Sequence, residues 1–196
     1  MKQIALVAAL ILCAPAARAA EKLSLSELSA YLNALTTAEA SFTQINDDGT
    51  LSTGKLYIHR PGRMRFEYDG ENGATVVAGA GSVVIHDPKS NQPPETYPLK
   101  RTPLSIILAK TVDLGQADMV VGHQFDGTTT ILQAQDPENP EYGGLELMFT
   151  DDPVELRKWV VHDSAGVRTT VVLGALETGG KLSSFLFTTG AGSGSR

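Results

Sequence analysis

From Thr37 onward the chain breaks into short β-type runs separated by turn residues, and that punctuation leaves few architectures open. The runs lie near 39–46, 51–60, 63–68, 74–78, 82–86, 95–99, 119–125, 128–135, 145–150, 156–162, 167–173 and 182–187. Between them stand Asp47-Asp48-Gly49, Asp69-Gly70, Gly79-Ala80-Gly81, Asp126-Gly127, Asp151-Asp152-Pro153 and Ser164-Ala165-Gly166. Short, closely spaced strands of this kind predict an antiparallel up-and-down sheet. About ten strands is near the limit for an open twisted sheet, so this one must curl. Helical material is scarce. Ser24-Leu25-Ser26-Glu27 is a capping box, followed by Leu28, Leu32 and Leu35 at helical spacing. A second helix is predicted over 102–110, with Thr102 as N-cap, Pro103 at the first helical position, and Leu104, Ile107 and Leu108 on one face. At about two turns it is too short to be stable without a surface beneath it. The segment 111–119 has no clear pattern. Two small helices cannot cover a whole face of such a sheet, so the sheet either closes into a barrel or leaves an apolar concavity beneath them. Both outcomes predict a ligand cavity.

The densest stretch is Lys55 to Tyr68, two β-type runs around Pro61-Gly62. Leu56, Ile58 and Arg60 share one face of the first run; Met64, Phe66 and Tyr68 share one face of the second. A two-residue loop would set Ile58 opposite Arg65. A three-residue loop or a bulge that sets Arg60 opposite Met64 and Ile58 opposite Phe66 joins the two apolar sets, and is the register expected. It leaves Arg60, an obligate cation, at the end of an apolar face. Either the side chain snorkels to water at a strand end, or it has a partner there.

Both ends of the chain carry their own signals. Lys2, the apolar run from Ile4 to Cys13 and Ala17-Arg18-Ala19 read as a signal peptide cut after Ala19, with Ala20 the alternative. Leu12 stands before Cys13 where a lipoprotein signal would need a small residue, so Cys13 is an ordinary member of the apolar run. The remaining 177 residues of 196 have no cysteine, which excludes disulfides and a thiol nucleophile. Loss of Lys2 and Arg18 takes the basic count from 16 to 14 against 22 acidic residues, a net charge of −8 that disfavours nucleic acid and anionic membranes. Residues 20–189 fit one domain, and the glycine- and serine-rich 190–196 reads as a flexible tail. His59, His86, His123 and His162 are scattered without metal-ligand spacing, and no nucleophile elbow or phosphate-binding loop is present. The paired carboxylates belong to turns. No catalytic residue, metal site or cofactor is expected, and the chain reads as a binder.

With these features assembled, the chain resembles the periplasmic outer-membrane lipoprotein carriers of the LolA family. The resemblance is carried by Ala40-Ser41-Phe42-Thr43-Gln44, by Gly54 to Pro61 continuing through Met64 to Tyr68, and by Thr102 to Ala109. It implies a mainly β (α+β) fold, an incomplete antiparallel barrel with short helices as a lid over an apolar cavity. It also implies that the arginine of the Arg60-Pro61 hairpin reaches the lid, hydrogen-bonds its backbone carbonyls and holds it closed until cargo is loaded. The chain departs from the family at Met64, where an aromatic is common, at Val84 and His86, where a tryptophan and a tyrosine often stand, and in having no phenylalanine in the lid helix.

The function so implied is that of a monomeric periplasmic carrier. It would take acylated lipoproteins released by an inner-membrane ABC-type transporter and deliver them to the outer membrane or its receptor. Phe42, Leu56, Ile58, Met64, Phe66 and Tyr68 would line the acyl-chain cavity, with Leu104, Ile107 and Leu108 as the lid face; plain core packing is the competing account of all nine. Two other functions use the same fold: a lipid- or lipoprotein-sensing regulatory module, which would capture without onward transfer, and an enzyme, which would need a polar cluster inside the cavity beyond Arg60.

Overall fold

A computed structural model describes residues 20–71, 73–102 and 104–189. Residues 1–19, expected as a leader, residues 190–196, expected as a tail, Asn72 and Pro103 lie outside the described residues. The helix α1 (Leu25–Ala34) starts at the expected capping box: Ser24 Oγ accepts the Glu27 N–H, and Glu27 accepts the Ser24 N–H. Leu28 and Leu32 are fully buried beneath it.

Twelve strands follow: β1 (Thr37–Ile45), β2 (Leu51–His59), β3 (Arg63–Tyr68), β4 (Thr75–Gly79), β5 (Ser82–His86), β6 (Glu95–Pro98), β7 (Val120–Phe125), β8 (Thr130–Gln135), β9 (Gly144–Asp151), β10 (Val154–His162), β11 (Arg168–Leu173) and β12 (Glu177–Thr178). All pairings are antiparallel, in the order β6-β5-β4-β3-β2-β1-β11-β10-β9-β8-β7, with β12 beside β1. Two meanders therefore meet at β1 and β11, while among the described residues β6 and β7 remain as unpaired edges. The sheet is an unclosed half-barrel. The connection between its edges contains a 3₁₀ turn (Leu99–Arg101) and α2 (Leu104–Leu108). α2 is shorter than expected, and the Thr102 hydroxyl donates back to the Leu99 carbonyl instead of accepting from the helix.

Side chains of alternate strand positions from both meanders meet α1 and α2 in one core. A bulge at Arg157 lets Leu156 and Trp159 both enter it, which strict alternation would forbid. The run expected as a strand over 182–187 is instead a 3₁₀ helix (Ser184–Phe187). It packs on the outer face of the sheet, where Phe187 meets the His59 ring edge-on and lies under the Arg63 guanidinium, and Arg65 donates to the Leu186 carbonyl. Both meanders already have their neighbours, so no strand edge is left there to pair with this segment.

Inside the half-barrel, the close fit between strands rests on Gly54. A Cβ there would overlap the Glu67 carbonyl oxygen and come within 2.8 Å of the Phe42 ring. The missing side chain lets that ring lie over the backbone, edge-on to both Phe66 and Tyr68. Gly54→Ala is expected to cost about 3 kcal/mol of unfolding free energy through overpacking, read by urea denaturation; an unchanged midpoint would show that the strands can part without loss.

Candidate functional site

The hairpin between β2 and β3 turns on Arg60-Pro61-Gly62, with His59 paired to Arg63, Ile58 to Met64 and Leu56 to Phe66. The expected pairing of Arg60 with Met64 is therefore corrected by two residues. Gly62, at φ 75°, lets the chain reverse sooner and leaves Arg60 in the loop rather than in the strand. Because the shift is an even number, the apolar sets still share one face.

From that loop four hydrogen bonds reach the ends of both helices. The Arg60 N–H donates to the Thr36 carbonyl at 2.8 Å, and the Gly62 N–H to the Leu108 carbonyl at 2.8 Å. The guanidinium donates from Nη1 to the Leu35 carbonyl at 3.3 Å and from Nη2 to the Ala109 carbonyl at 2.7 Å. Leu35 caps α1 and Leu108 ends α2. The last carbonyls of a helix lack partners within it and carry partial negative charge, so a cation is favoured there. Arg60 is only 8 % exposed, and its Nε has no partner among the described residues. Burial lowers its pKa, although an arginine remains charged at neutral pH. Its neutralising groups are main-chain dipoles, with no carboxylate among its described partners.

A second attachment, absent from the sequence reading, ties α1 to the segment after α2. The Asn33 side-chain amide donates to the Val112 carbonyl and accepts the Val112 N–H, both at 2.8 Å. Ser29 Oγ accepts the Leu114 N–H at 3.0 Å. Ser29 and Asn33 lie four apart, hence on one face of α1 beside the leucine stripe. Polar residues on that face were the available signal. Val112 and Leu114 are buried, so 111–114 lies on the core as a partner of α1.

The expected cavity residues come together on the concave face: Phe42, Leu56, Ile58, Met64 and Phe66 are buried, and the half-buried Tyr68 donates its hydroxyl to Gln44 at 2.6 Å. From α2, Ile107 and Leu108 are buried and Leu104 is partly so; Ile106, which the sequence reading left out, is buried as well. These side chains touch one another within the shared core instead of facing an open hollow. Two surface hollows, of about 720 and 180 Å³, lie elsewhere: one beside 100–106 and 136–139, the other beside β12. Val84 pairs with Val77 and stands, with His86, on the face opposite the concave one, so those departures from the family pattern do not alter the concave lining. Among the described residues, no group of three or more His, Cys, Asp or Glu could hold a metal ion.

Arg60→Leu removes the donor but leaves the Leu35 and Ala109 carbonyls behind. It is therefore expected to lower the unfolding free energy by about 2–4 kcal/mol. Loss of the loop's hold should also speed amide exchange at Val112 and Leu114 by about tenfold or more. Asn33→Ala should speed the same two amides. Unchanged exchange in both variants would show that these polar bonds do not hold the segment down.

Sequence comparisons with known proteins name one family. Residues 33–190 match the family described as "Outer membrane lipoprotein carrier protein LolA". The outer-membrane lipoprotein carrier protein of Chromohalobacter salexigens is 26% identical over 172 residues, covering 82% of this chain and 80% of that one. The protein of the same name from Coxiella burnetii is 24% identical over 171 residues, covering 83% and 80%. Among solved structures, a LolA-superfamily protein from Nitrosomonas europaea is 8% identical, covers 85% of this chain and 98% of that one, and has a TM-score of 0.44. With four-fifths of its length matched to one family and a half-barrel strapped by helices, the chain belongs to the LolA family of outer-membrane lipoprotein carriers.

Proposed function

We propose that this protein is a periplasmic shuttle. Its domain over 20–189 takes the acyl chains of lipoproteins released by an inner-membrane ABC-type transporter and gives them up at the outer membrane, after a leader over 1–19 has directed export. The observation that carries this reading is the attachment of both helix ends to one buried cation, Arg60, through main-chain carbonyls. In it Arg60 is the latch, α2 with its flanking segment is the lid, and the nine apolar residues are the surface that lid and cargo compete for.

The energetics fit such a competition. Lifting the lid uncovers Ile106, Ile107, Leu108, Val112 and Leu114, all buried in the closed form. Exposing each to water would cost about 1.5–3 kcal/mol. Acyl chains entering as the lid leaves supply replacement contacts, at ~0.8 kcal/mol per methylene removed from water. Against water, several long chains would exceed the ~18–21 kcal/mol reached by the tightest non-covalent complexes. Their actual competitor is a bilayer, equally apolar, so transfer from bilayer to protein is close to neutral. A small polar bias can then set direction. Hydrogen bonds to a charged group, worth about 1.5–3 kcal/mol each, are of that size, and re-forming the Arg60 bonds to the Leu35 and Ala109 carbonyls helps expel cargo.

The test uses purified mature protein, inner-membrane vesicles carrying labelled lipoprotein, and ATP. Wild type is expected to bring cargo into the soluble fraction as a one-to-one complex and pass it to outer-membrane vesicles. Arg60→Leu should load cargo but retain it. Wild-type release from Arg60→Leu would remove the latch role, and binding of acylated peptide with no soluble cargo would favour a sensor over a carrier.

A further inference from the structure

The hollow of about 720 Å³ lies outside the apolar site but adjoins it. The 3₁₀ turn before α2 lines it with Lys100 and Arg101, and the segments before β7 and after β8 line it with Asp118 and Glu138. Ile106 and Met119 also line it, and both belong to or pack on the core. The Ser105 hydroxyl contacts the Met119 sulfur at 3.5 Å, joining α2 to the segment before β7 at this place. The hollow is thus where a polar surface meets the lid and the apolar interior at once.

Within the described residues, Lys100, Arg101, Asp118 and Glu138 make no ion pair and no side-chain hydrogen bond. The remaining carboxylate, Asp136, is already engaged by the Glu138 and Asn139 N–H groups and the Asn139 side chain, and Arg101 acts on it only at a distance. Two cations against three carboxylates disfavour an anionic occupant such as a phosphate. Free donors and free acceptors lining one hollow suit a group that carries both, as every peptide unit does. The volume lies within the ~300–1,000 Å³ of ligand sites.

Resting on the carrier reading, we propose that this cleft seats the stretch of cargo polypeptide adjoining the acyl chains. The carrier would then hold its cargo at two adjoining places: acyl chains on the concave face, and extended backbone between Lys100-Arg101 and Asp118-Glu138. Charge of both signs in the lining favours uncharged polar sequence in that stretch over sequence of either single sign.

The test compares two ligands for the purified mature protein by calorimetry: a diacylglyceryl-cysteine amide, and the same lipid bearing six uncharged polar residues. The peptide-bearing ligand is expected to bind about tenfold more tightly. Lys100→Glu combined with Arg101→Glu should abolish that advantage and leave the amide's affinity unchanged. Equal binding of both ligands to wild type would overturn the cleft proposal and leave the carrier reading standing; failure of both to bind would overturn the carrier reading and the cleft with it. A diacyl lipid with a phosphoethanolamine head group that gains the same advantage would also overturn it, in favour of a head-group site. If the double variant does not fold, the two wild-type affinities still decide.

Discussion

One cation removed from water without a carboxylate beside it governs this molecule. Taking a charge out of water costs several kcal/mol unless other groups replace its hydration. At Arg60 the replacements are carbonyls at the ends of two helices, brought there from positions 25 and 49 residues away in sequence. Neither helix could satisfy the guanidinium alone. Both must end at the β2–β3 loop, and that requirement fixes where the connection between the two sheet edges crosses the half-barrel.

Two kinds of force divide the hold on that connection. Ile106, Ile107, Leu108, Val112 and Leu114 supply adhesion through buried area, which is large but non-directional. The Arg60 loop, Asn33 and Ser29 supply position through hydrogen bonds that demand one geometry. An apolar ligand can substitute for the first kind of contact and has nothing to offer the second. In the proposed carrier cycle, a closed form held this way would give up apolar contacts to a guest and still retain a reason to close again. The rigid side of the arrangement is the sheet, where Gly54 allows Phe42 to sit against the backbone of β2 and β3.

The strands were legible because period-two patterning and turn chemistry are local. β3 and β5 fall where the pattern puts them, and α1 starts at its capping box. The 182–187 run departs from the expected strand because its hydrophobic content suits a strand and a 3₁₀ turn equally, and it packs on β3 and β4, which already have neighbours on both sides. The hairpin register differs by two residues because the three-residue loop starts one position earlier, where Gly62 takes a positive φ, while the alternation fixes the same shared face. Ser29 and Asn33 carry little signal in the sequence, since a polar residue on a helix looks solvated until a distant segment packs against it.

The sequence alone determined the antiparallel class, the scarcity of helix, the apolar face of the hairpin and the anomaly of an arginine at its end, since each follows from neighbours in the chain. Only the tertiary structure decided that β1 and β11 join the two meanders, that α2 closes on the concave face, and that Arg60 meets the Leu35 and Ala109 carbonyls. Those are contacts between distant residues. A backbone carbonyl looks the same in every sequence, so the acceptors of a buried cation become visible only once the fold has gathered the helix ends around it.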